Sequence, residues 1–254
     1  MYLLRLLLTV CLLCSATAAY AEKITIAAAA DLKFAMEELV TVFRQQHPGH
    51  QFEVIYGSSG KFFAQIQNNA PYDLFFSADI AYPRELAAKG LAASAARPYA
   101  FGRIVLWSNS INAAKLTLHS LTDPGITRIA LANPKHAPYG KRAEEALRAA
   151  GLWDKLQHKL VFGENIAHAA QFVETGNAQV GIIALALVVN PALAKQGGYA
   201  LIPETQHQPL EQGYIITRRA AGKPLAAAFA NYMASREARR IMVKYGFVLP
   251  GEVQ

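Results

Sequence analysis

The chain has 254 residues, a formal net charge of +7 from 25 basic and 18 acidic residues, and an apolar fraction of 53%. Its basic residues are scattered rather than clustered, which argues against a nucleic-acid-binding surface and favours general surface charge or a weak attraction for anions. The length is sufficient for one large domain or two modest ones.

The first 21 residues have the pattern of a cleavable secretory signal. One positive charge, Arg5, precedes an apolar run over 6–13, and small residues then end in an Ala-x-Ala motif. The run is too short to span a bilayer. We therefore exclude 1–21 from the fold and expect a mature chain of charge +6 in the periplasm, since Arg5 is the one charge removed. Because Cys11 and Cys14 precede the cleavage site, we expect no disulfide and no thiolate metal site.

Short apolar strands alternate with helical patterns along the mature chain. After Leu32 the apolar residues recur with helical spacing, and Pro48-Gly49 ends that helix. This βαβαβα order is typical of a parallel sheet with helices on both faces. The first half predicts further helices over Lys61–Asn68 and Ala81–Lys89, and strands at Lys23–Ala28, Gln51–Tyr56 and Tyr72–Ser77.

The alternation of strands and helices restarts with one strand predicted over Ala100–Trp107. The sequence shows no internal repeat. Two sets of βα units predict an α/β protein of two lobes, each a mostly parallel sheet flanked by helices. The C-terminal helices are expected to return to the first lobe. Further strands are predicted at Thr127–Ala132, Leu160–Phe162, Val180–Ala184, Ala200–Ile202 and Gly213–Thr217, and further helices over Gly140–Ala150, Ile166–Thr175 and within Leu225–Tyr245.

Four strand-to-helix junctions combine small residues, hydroxyl groups and helix starts, and ligands of open α/β sheets bind at such junctions. The unpaired N–H groups and positive dipole end of each helix start suit a tetrahedral oxyanion, and hydroxyls add directed donors. Such loops are also common as ordinary turns, so the junctions alone leave anion binding open. They are 27–31, Gly57-Ser58-Ser59-Gly60, 133–140 and 163–166.

An exported serine hydrolase is an alternative from another class of protein. Ser58 or Ser59 would be the nucleophile and His136 or His168 the base, but no spacing selects either histidine. The serine loop does not have the G-x-S-x-G pattern, and the chain has no Walker-type loop and no G-x-G-x-x-G.

At these junctions the sequence resembles the periplasmic molybdate-binding proteins of ABC transporters. The most specific match is 70–79, which reads A-P-Y-D-L-F-F-S-A-D, and the others are 24–29, 57–60 with 64–66, 133–140 and 245–247. The resemblance implies the two-lobed type II periplasmic binding protein fold, with lobe I over 22–101 and 207–254 and lobe II over 102–206. It implies capture of molybdate or tungstate for a membrane permease, with no catalysis, no cofactor and no cation site. We expect a monomer.

The resemblance also implies which residues bind the oxyanion. One branch of the family has a tyrosine at the position of Ala184, whereas another has it in the Pro-Tyr-Gly loop, which Tyr139 matches. Ser58 has a lower claim than its neighbour. The implied ligand-binding residues are Ala30, Asp31, Ser58, Ser59, Tyr139 and Ile166.

Asp31 departs from the family, whose members often have Ser, Thr or Asn at this position. An ionised Asp cannot donate a hydrogen bond and repels a dianion. We favour the interpretation that its carboxylate caps its own helix and turns away from the ligand. Two alternatives remain open: Asp31 is protonated in the closed site, or the ligand is another oxyanion or a small acid. A ligand-sensing module that signals to a partner is a further alternative to uptake.

Overall fold

The structure, a computed structural model, describes residues 21–190, 193 and 198–251. The predicted signal, except for Ala21, lies outside the described residues, and so do both cysteines. Two five-stranded sheets with flanking helices form two lobes, which confirms the predicted α/β class. Among the described residues, no helix is long and apolar enough to cross a membrane.

The first sheet contains β1 (Lys23–Ala29), β2 (Gln51–Gly57), β3 (Leu74–Ser77), β4 (Arg97–Gly102) and β10 (Leu210–Ile216). Its strand order is β2-β1-β3-β10-β4. Strand β1 runs parallel to β2 and β3, and β10 runs antiparallel to β3 and β4. All four residues of β3 are buried, as expected for a central strand covered on both faces.

The second sheet contains β5 (Ile104–Trp107), β6 (Ile129–Ala132), β7 (Leu160–Gly163), β8 (Val180–Ala184) and β9 (Tyr199–Leu201). Its order is β7-β6-β8-β5-β9, with β6 parallel to β7 and β8 and with β5 antiparallel to β8 and β9. The two sheets therefore share one arrangement, although the sequence shows no repeat.

The single strand predicted over Ala100–Trp107 is wrong, because the run forms β4 in one sheet and β5 in the other. Arg103 alone lies between them. Both pieces are largely buried, so hydrophobicity continues across the change of sheet and gives no signal of it. Arg103 pairs with Glu204, with Nε 3.3 Å from Oε1, and this pair joins the outgoing chain to the segment that returns between β9 and β10.

Helices connect the strands and contribute many of the other buried hydrophobic residues. The C-terminal helices share a hydrophobic core with β1 and the first long helix, where the rings of Phe43 and Phe229 meet edge to face at 5.1 Å. The helices are α1 (Lys33–Gln46), α2 (Ser59–Gln67), α3 (Ala81–Ala88), α4 (Pro138–Ala149), α5 (Trp153–Leu156), α6 (Ile166–Glu174), α7 (Leu185–Val188), α8 (Pro224–Tyr232) and α9 (Arg236–Lys244).

Asp73, in the A-P-Y-D-L-F-F-S-A-D stretch, joins separate parts of the first lobe. Its buried carboxylate accepts hydrogen bonds from the Thr25 N–H and from Lys223 Nζ, both at 2.9 Å. Its backbone N–H donates to the Thr25 carbonyl, and its carbonyl accepts from the Thr217 N–H. The stretch therefore links β1, the entry to β3 and the end of β10 to the residue that precedes α8.

Asp73→Ala is expected to destabilise the protein by about 3 kcal/mol, because it removes the acceptor of the Thr25 N–H and the anionic partner of Lys223, whose Nζ then keeps only the Lys23 carbonyl. Urea unfolding followed by circular dichroism measures the change. Asp154→Ala, on an exposed part of α5, is the control and should stay within about 0.5 kcal/mol of the wild type. Equal stability of the two variants would contradict the assigned role of Asp73.

Candidate ligand-binding site

A small cavity lies between the lobes, at the ends of strands from both sheets. All four predicted junctions contribute to its wall, which contains each of the six residues that the family resemblance implied. Its volume is ≈ 10 Å³, about the space that one water molecule needs. It is lined by Ala29, Ala30, Asp31, Gly57, Ser58, Ser59, Ala78, Ala137, Pro138, Tyr139 and Ile166.

Three helices begin at the cavity wall. Their first residues are Ser59 in α2, Pro138 in α4 and Ile166 in α6. The 3-10 turn Ala30–Leu32 follows β1 at the same place. The first N–H groups of a helix have no acceptor within that helix, and its dipole adds partial positive charge. The cavity wall is therefore rich in backbone donors and carries no full positive charge.

Ser59 holds a hydroxyl proton that no described residue accepts. Its side chain is fully buried, and Oγ accepts a hydrogen bond from the Ala78 N–H at 2.9 Å. This bond fixes the oxygen and leaves the O–H free to donate into the cavity. The neighbouring hydroxyl is engaged differently, because Ser58 Oγ lies 2.9 Å from Nδ1 of His136 in the second lobe.

The contact between Ser58 and His136 lacks the third member of a catalytic triad. Within the described residues His168 makes no hydrogen bond to either serine, and its Nδ1 accepts from the Glu164 N–H at 3.2 Å. A triad needs an acid on the second nitrogen of the base, and no carboxylate within the described residues hydrogen-bonds to His136. Burial lowers the pKa of His136, so the neutral ring bridges the two lobes.

Asp31 does not cap its helix, so the interpretation that we favoured from the sequence is wrong. Ala29 rather than Asp31 precedes the 3-10 turn, and Leu32 precedes α1, with no side-chain cap at either start. The carboxylate instead accepts hydrogen bonds at Oδ2 from the Tyr139 hydroxyl at 3.0 Å and from Gln212 Nε2 at 2.8 Å. Placed inside the turn, the Asp31 side chain reaches partners on other elements rather than its own helix start.

Gln212 and Tyr99 complete a buried network that the sequence did not reveal. The Tyr99 hydroxyl donates to Gln212 Oε1 at 2.6 Å, and Gln212 Nε2 donates to the Tyr139 hydroxyl oxygen at 3.0 Å. Both residues lie within ordinary strands, β10 and β4, far along the chain from Asp31 and in no motif. Gly102 completes the fit, because a Cβ at this position would collide with the Tyr139 hydroxyl.

The environment of Asp31 disfavours its charge. Burial raises the pKa of Asp31 to about 6, although the hydrogen bonds from Gln212 and Tyr139 limit the rise. The N–H groups of Asp31 and Leu32 also lower the pKa, but neither makes a hydrogen bond of normal geometry with Oδ1, which has no partner. Burial raises the pKa of Tyr99 and of Tyr139 well above 10, so both remain protonated phenols.

Polar contacts also join the lobes at the mouth of the cavity. The Gly60 N–H donates to the His136 carbonyl at 2.9 Å, and Lys61 forms an ion pair with Glu164. A Cβ on Gly60 would lie 2.6 Å from the His136 carbonyl oxygen. The lobes therefore approach this closely only because residue 60 has no side chain.

Two α/β lobes that close on a small cavity lined by helix starts define a binding protein of the bilobal periplasmic type. The sequence model for bacterial extracellular solute-binding proteins matches residues 24–248, and the chain belongs to this family. The predicted resemblance to periplasmic molybdate-binding proteins is confirmed by the similarity to individual relatives.

The relatives and solved structures that resemble the chain over most of its length include the following three. The molybdate-binding protein ModA of Azotobacter vinelandii is 33% identical over 235 residues, which cover 92% of this chain and 93% of the relative. ModA of Rhodobacter capsulatus is 32% identical over 233 residues, covering 91% and 90%. The structure of the Azotobacter vinelandii periplasmic molybdate-binding protein aligns with a TM-score of 0.84 at 33% identity, covering 89% of this chain and 99% of that one.

Asp31→Asn is expected to change how stability depends on pH. Burial raises the pKa of Asp31 to about 6 in the folded protein, whereas the pKa of an Asp in the unfolded chain is about 4. The wild type therefore loses stability as the pH rises from the unfolded pKa through the folded pKa. Asn cannot ionise. The free energy of unfolding of the variant minus that of the wild type should therefore increase by about 3 kcal/mol across this window and stay constant above it.

Urea unfolding of both proteins at several pH values between about 4 and 8 measures this difference. Asp154→Asn, at an exposed position, controls for the removal of one carboxylate. A difference between Asp31→Asn and the wild type that does not depend on pH would contradict the raised pKa.

Proposed function

We propose that the mature chain captures molybdate or tungstate in the periplasm and delivers it to the permease of an ABC transporter. The observation that carries the proposal is the free Ser59 proton beside three helix starts, in a closed cavity with no cationic side chain in its wall. The names of the similar relatives support the choice of anion. The anion is a transported ligand and not a cofactor, and the proposed role includes no catalysis.

Oriented dipoles rather than full charges hold the anion in this proposal. The Ser59 hydroxyl and the backbone N–H groups at Ala30 and Ile166 donate to its oxygens, and exclusion of water strengthens each hydrogen bond. Molybdate and tungstate share charge and shape, so we expect similar affinities for both. Sulfate is smaller, and the same donors would then not all reach its oxygens. We expect the protein to act as a monomer and to bind no nucleic acid.

The contacts of Tyr139 support a role other than direct donation to the anion, which the resemblance implied. Its proton is directed at Asp31 and its oxygen accepts from Gln212. Direct donation to the anion would require Tyr139 to give up its bond to Asp31. We therefore propose that Tyr139 acts through Asp31, which it holds in position from the second lobe.

Calorimetric titration of residues 22–254 with molybdate, tungstate and sulfate tests the proposal. We expect submicromolar binding of the first two anions and no heat with sulfate, since each of several charge-assisted hydrogen bonds contributes about 1.5–3 kcal/mol. Folded, ligand-free protein that binds none of them would overturn the assignment. Labelling of Ser58 by a serine-reactive phosphonate would instead support the hydrolase, which rests on the contact with His136 alone.

Ser59→Ala is expected to weaken molybdate binding by roughly 10- to 150-fold, because it removes one charge-assisted hydrogen bond. Ser58→Ala is the matched comparison and should have a smaller effect, since that hydroxyl is engaged by His136. Titration calorimetry measures both affinities, and thermal unfolding checks that both variants fold. An unchanged affinity in Ser59→Ala would remove this residue from the site.

Gly60→Ala is expected to weaken binding without large loss of stability. The added methyl group would lie 2.6 Å from the His136 carbonyl oxygen, so the lobes cannot reach the closed arrangement. We expect an affinity loss of at least about tenfold, equivalent to roughly 1.4 kcal/mol. Gly222→Ala, where a Cβ meets nothing within 4 Å, is the control. Equal affinities in the two variants would contradict closure at this contact.

A further inference from the structure

We propose that Asp31 binds the oxyanion as a neutral carboxylic acid that carries its proton on Oδ1, so that one proton binds with each anion. This inference rests on the proposed function and adds that binding of the anion is coupled to binding of a proton. It accounts for an acidic residue in a site for a dianion.

Every proton in the buried network is directed at Oδ2 of Asp31 or at a partner of Oδ2. Tyr99 donates to Gln212 Oε1, which places the Gln212 amide nitrogen toward Asp31 and Tyr139. Tyr139 then donates its own proton to Oδ2. The phenol and the amide therefore mark Oδ2 as the acceptor oxygen of the carboxyl group.

Oδ1 is the oxygen that remains for the ligand. It is buried and has no hydrogen-bond partner, and Asp31, which is 1% exposed, lines the cavity. An ionised Oδ1 in this position would face the oxygens of a dianion with no donor between them. A proton on Oδ1 turns the same contact into a hydrogen bond, with Oδ1 as donor and an anion oxygen as acceptor.

Among the described residues, the side chains hydrogen-bonded to Asp31 and to its partners carry no compensating charge. Tyr99 on β4 and Tyr139 on α4 remain neutral phenols, and Gln212 on β10 is an amide. The charged side chains near the mouth are Lys61 and Glu164, which pair with each other, and Lys33, which lies beside Glu164 and His168 at the outer edge. His136 contacts Ser58 rather than Asp31. Burial already shifts the Asp31 equilibrium toward the acid, and a bound dianion shifts it further.

The proton balance is simple. Above neutral pH the free protein holds Asp31 mostly as the carboxylate, and the bound protein holds it as the acid. The proton comes from solvent, no covalent bond to the anion forms, and release of the anion returns the proton. Tyr139 cannot supply it, because its pKa lies well above 10.

Asn at position 31 reproduces the proposed state without a titratable group. Its carbonyl oxygen accepts from Tyr139 and Gln212 as Oδ2 does, and its amide N–H replaces the Oδ1 proton as donor. Asp31→Asn is therefore expected to bind molybdate with an affinity that does not depend on pH. Its affinity should equal or exceed that of the wild type near pH 6.

The test is calorimetric titration with sodium molybdate between about pH 6 and pH 9. The wild-type affinity should fall about tenfold for each pH unit above about 7, and Asp31→Asn should show no slope. Repeating the titration at about pH 8 in two buffers of different ionisation enthalpy counts protons, with about one taken up per anion in the wild type and none in the variant. Asp154→Asn should behave as the wild type does.

The outcomes separate this inference from the proposed function. Molybdate binding by the wild type with no pH slope and no proton uptake would overturn the inference alone. A slope that persists in Asp31→Asn would assign the titration to another group, such as His136, and would overturn the inference. If neither protein binds molybdate at any pH, the proposed function fails. Phosphate binding that Asp31→Asn abolishes would mean that an ionised Asp31 accepts a proton from the anion, which also overturns the inference.

Discussion

The structure depends on one constraint: helices from both lobes begin at the wall of the same small cavity. Parallel strands place the starts of the following helices at one edge of each sheet, and the two sheets turn these edges toward each other. The close approach of the lobes at Gly60 and Gly102 requires that these two residues have no side chain. The cavity is therefore a product of backbone geometry first, and the side chains of Ser59 and Asp31 then refine it.

A site built from dipoles has different properties from one built from lysine or arginine. Its donors are fixed by helices and strands, so closure costs little reorganisation. Because the wall has no full positive charge, nothing in it must be neutralised when the anion leaves. Coupling to one proton fits this design, since a neutral acid adds a donor without adding a cation. Protonation of the buried Asp31 would then make the affinity of the site depend on pH.

The alternation of strands and helices was enough to predict the α/β class and the four junctions, since helix starts follow parallel strands in any fold of this kind. The small residues around Ala30 and the hydroxyls at 58 and 59 marked two of them. Gln212 and Tyr99 could not be predicted, because nothing in a strand sequence shows which polar residue faces a distant carboxylate. The N-cap assignment of Asp31 failed for a related reason: local preference describes a helix start, but partners on one distant strand and one distant helix decided its contacts.

The single residue between β4 and β5 has a mechanical consequence. Arg103 alone lies between strands of different sheets, and its side chain pairs with Glu204 on the returning segment, so the two connections between the lobes lie side by side. We expect the lobes to move relative to each other mainly by rotation about an axis through these two connections. Such an axis works as a lever, so that an ångström of movement at the cavity becomes a larger displacement at the outer rims of the lobes. In the proposed function, a transporter that touches only those rims would distinguish a loaded molecule from an empty one without reaching the anion.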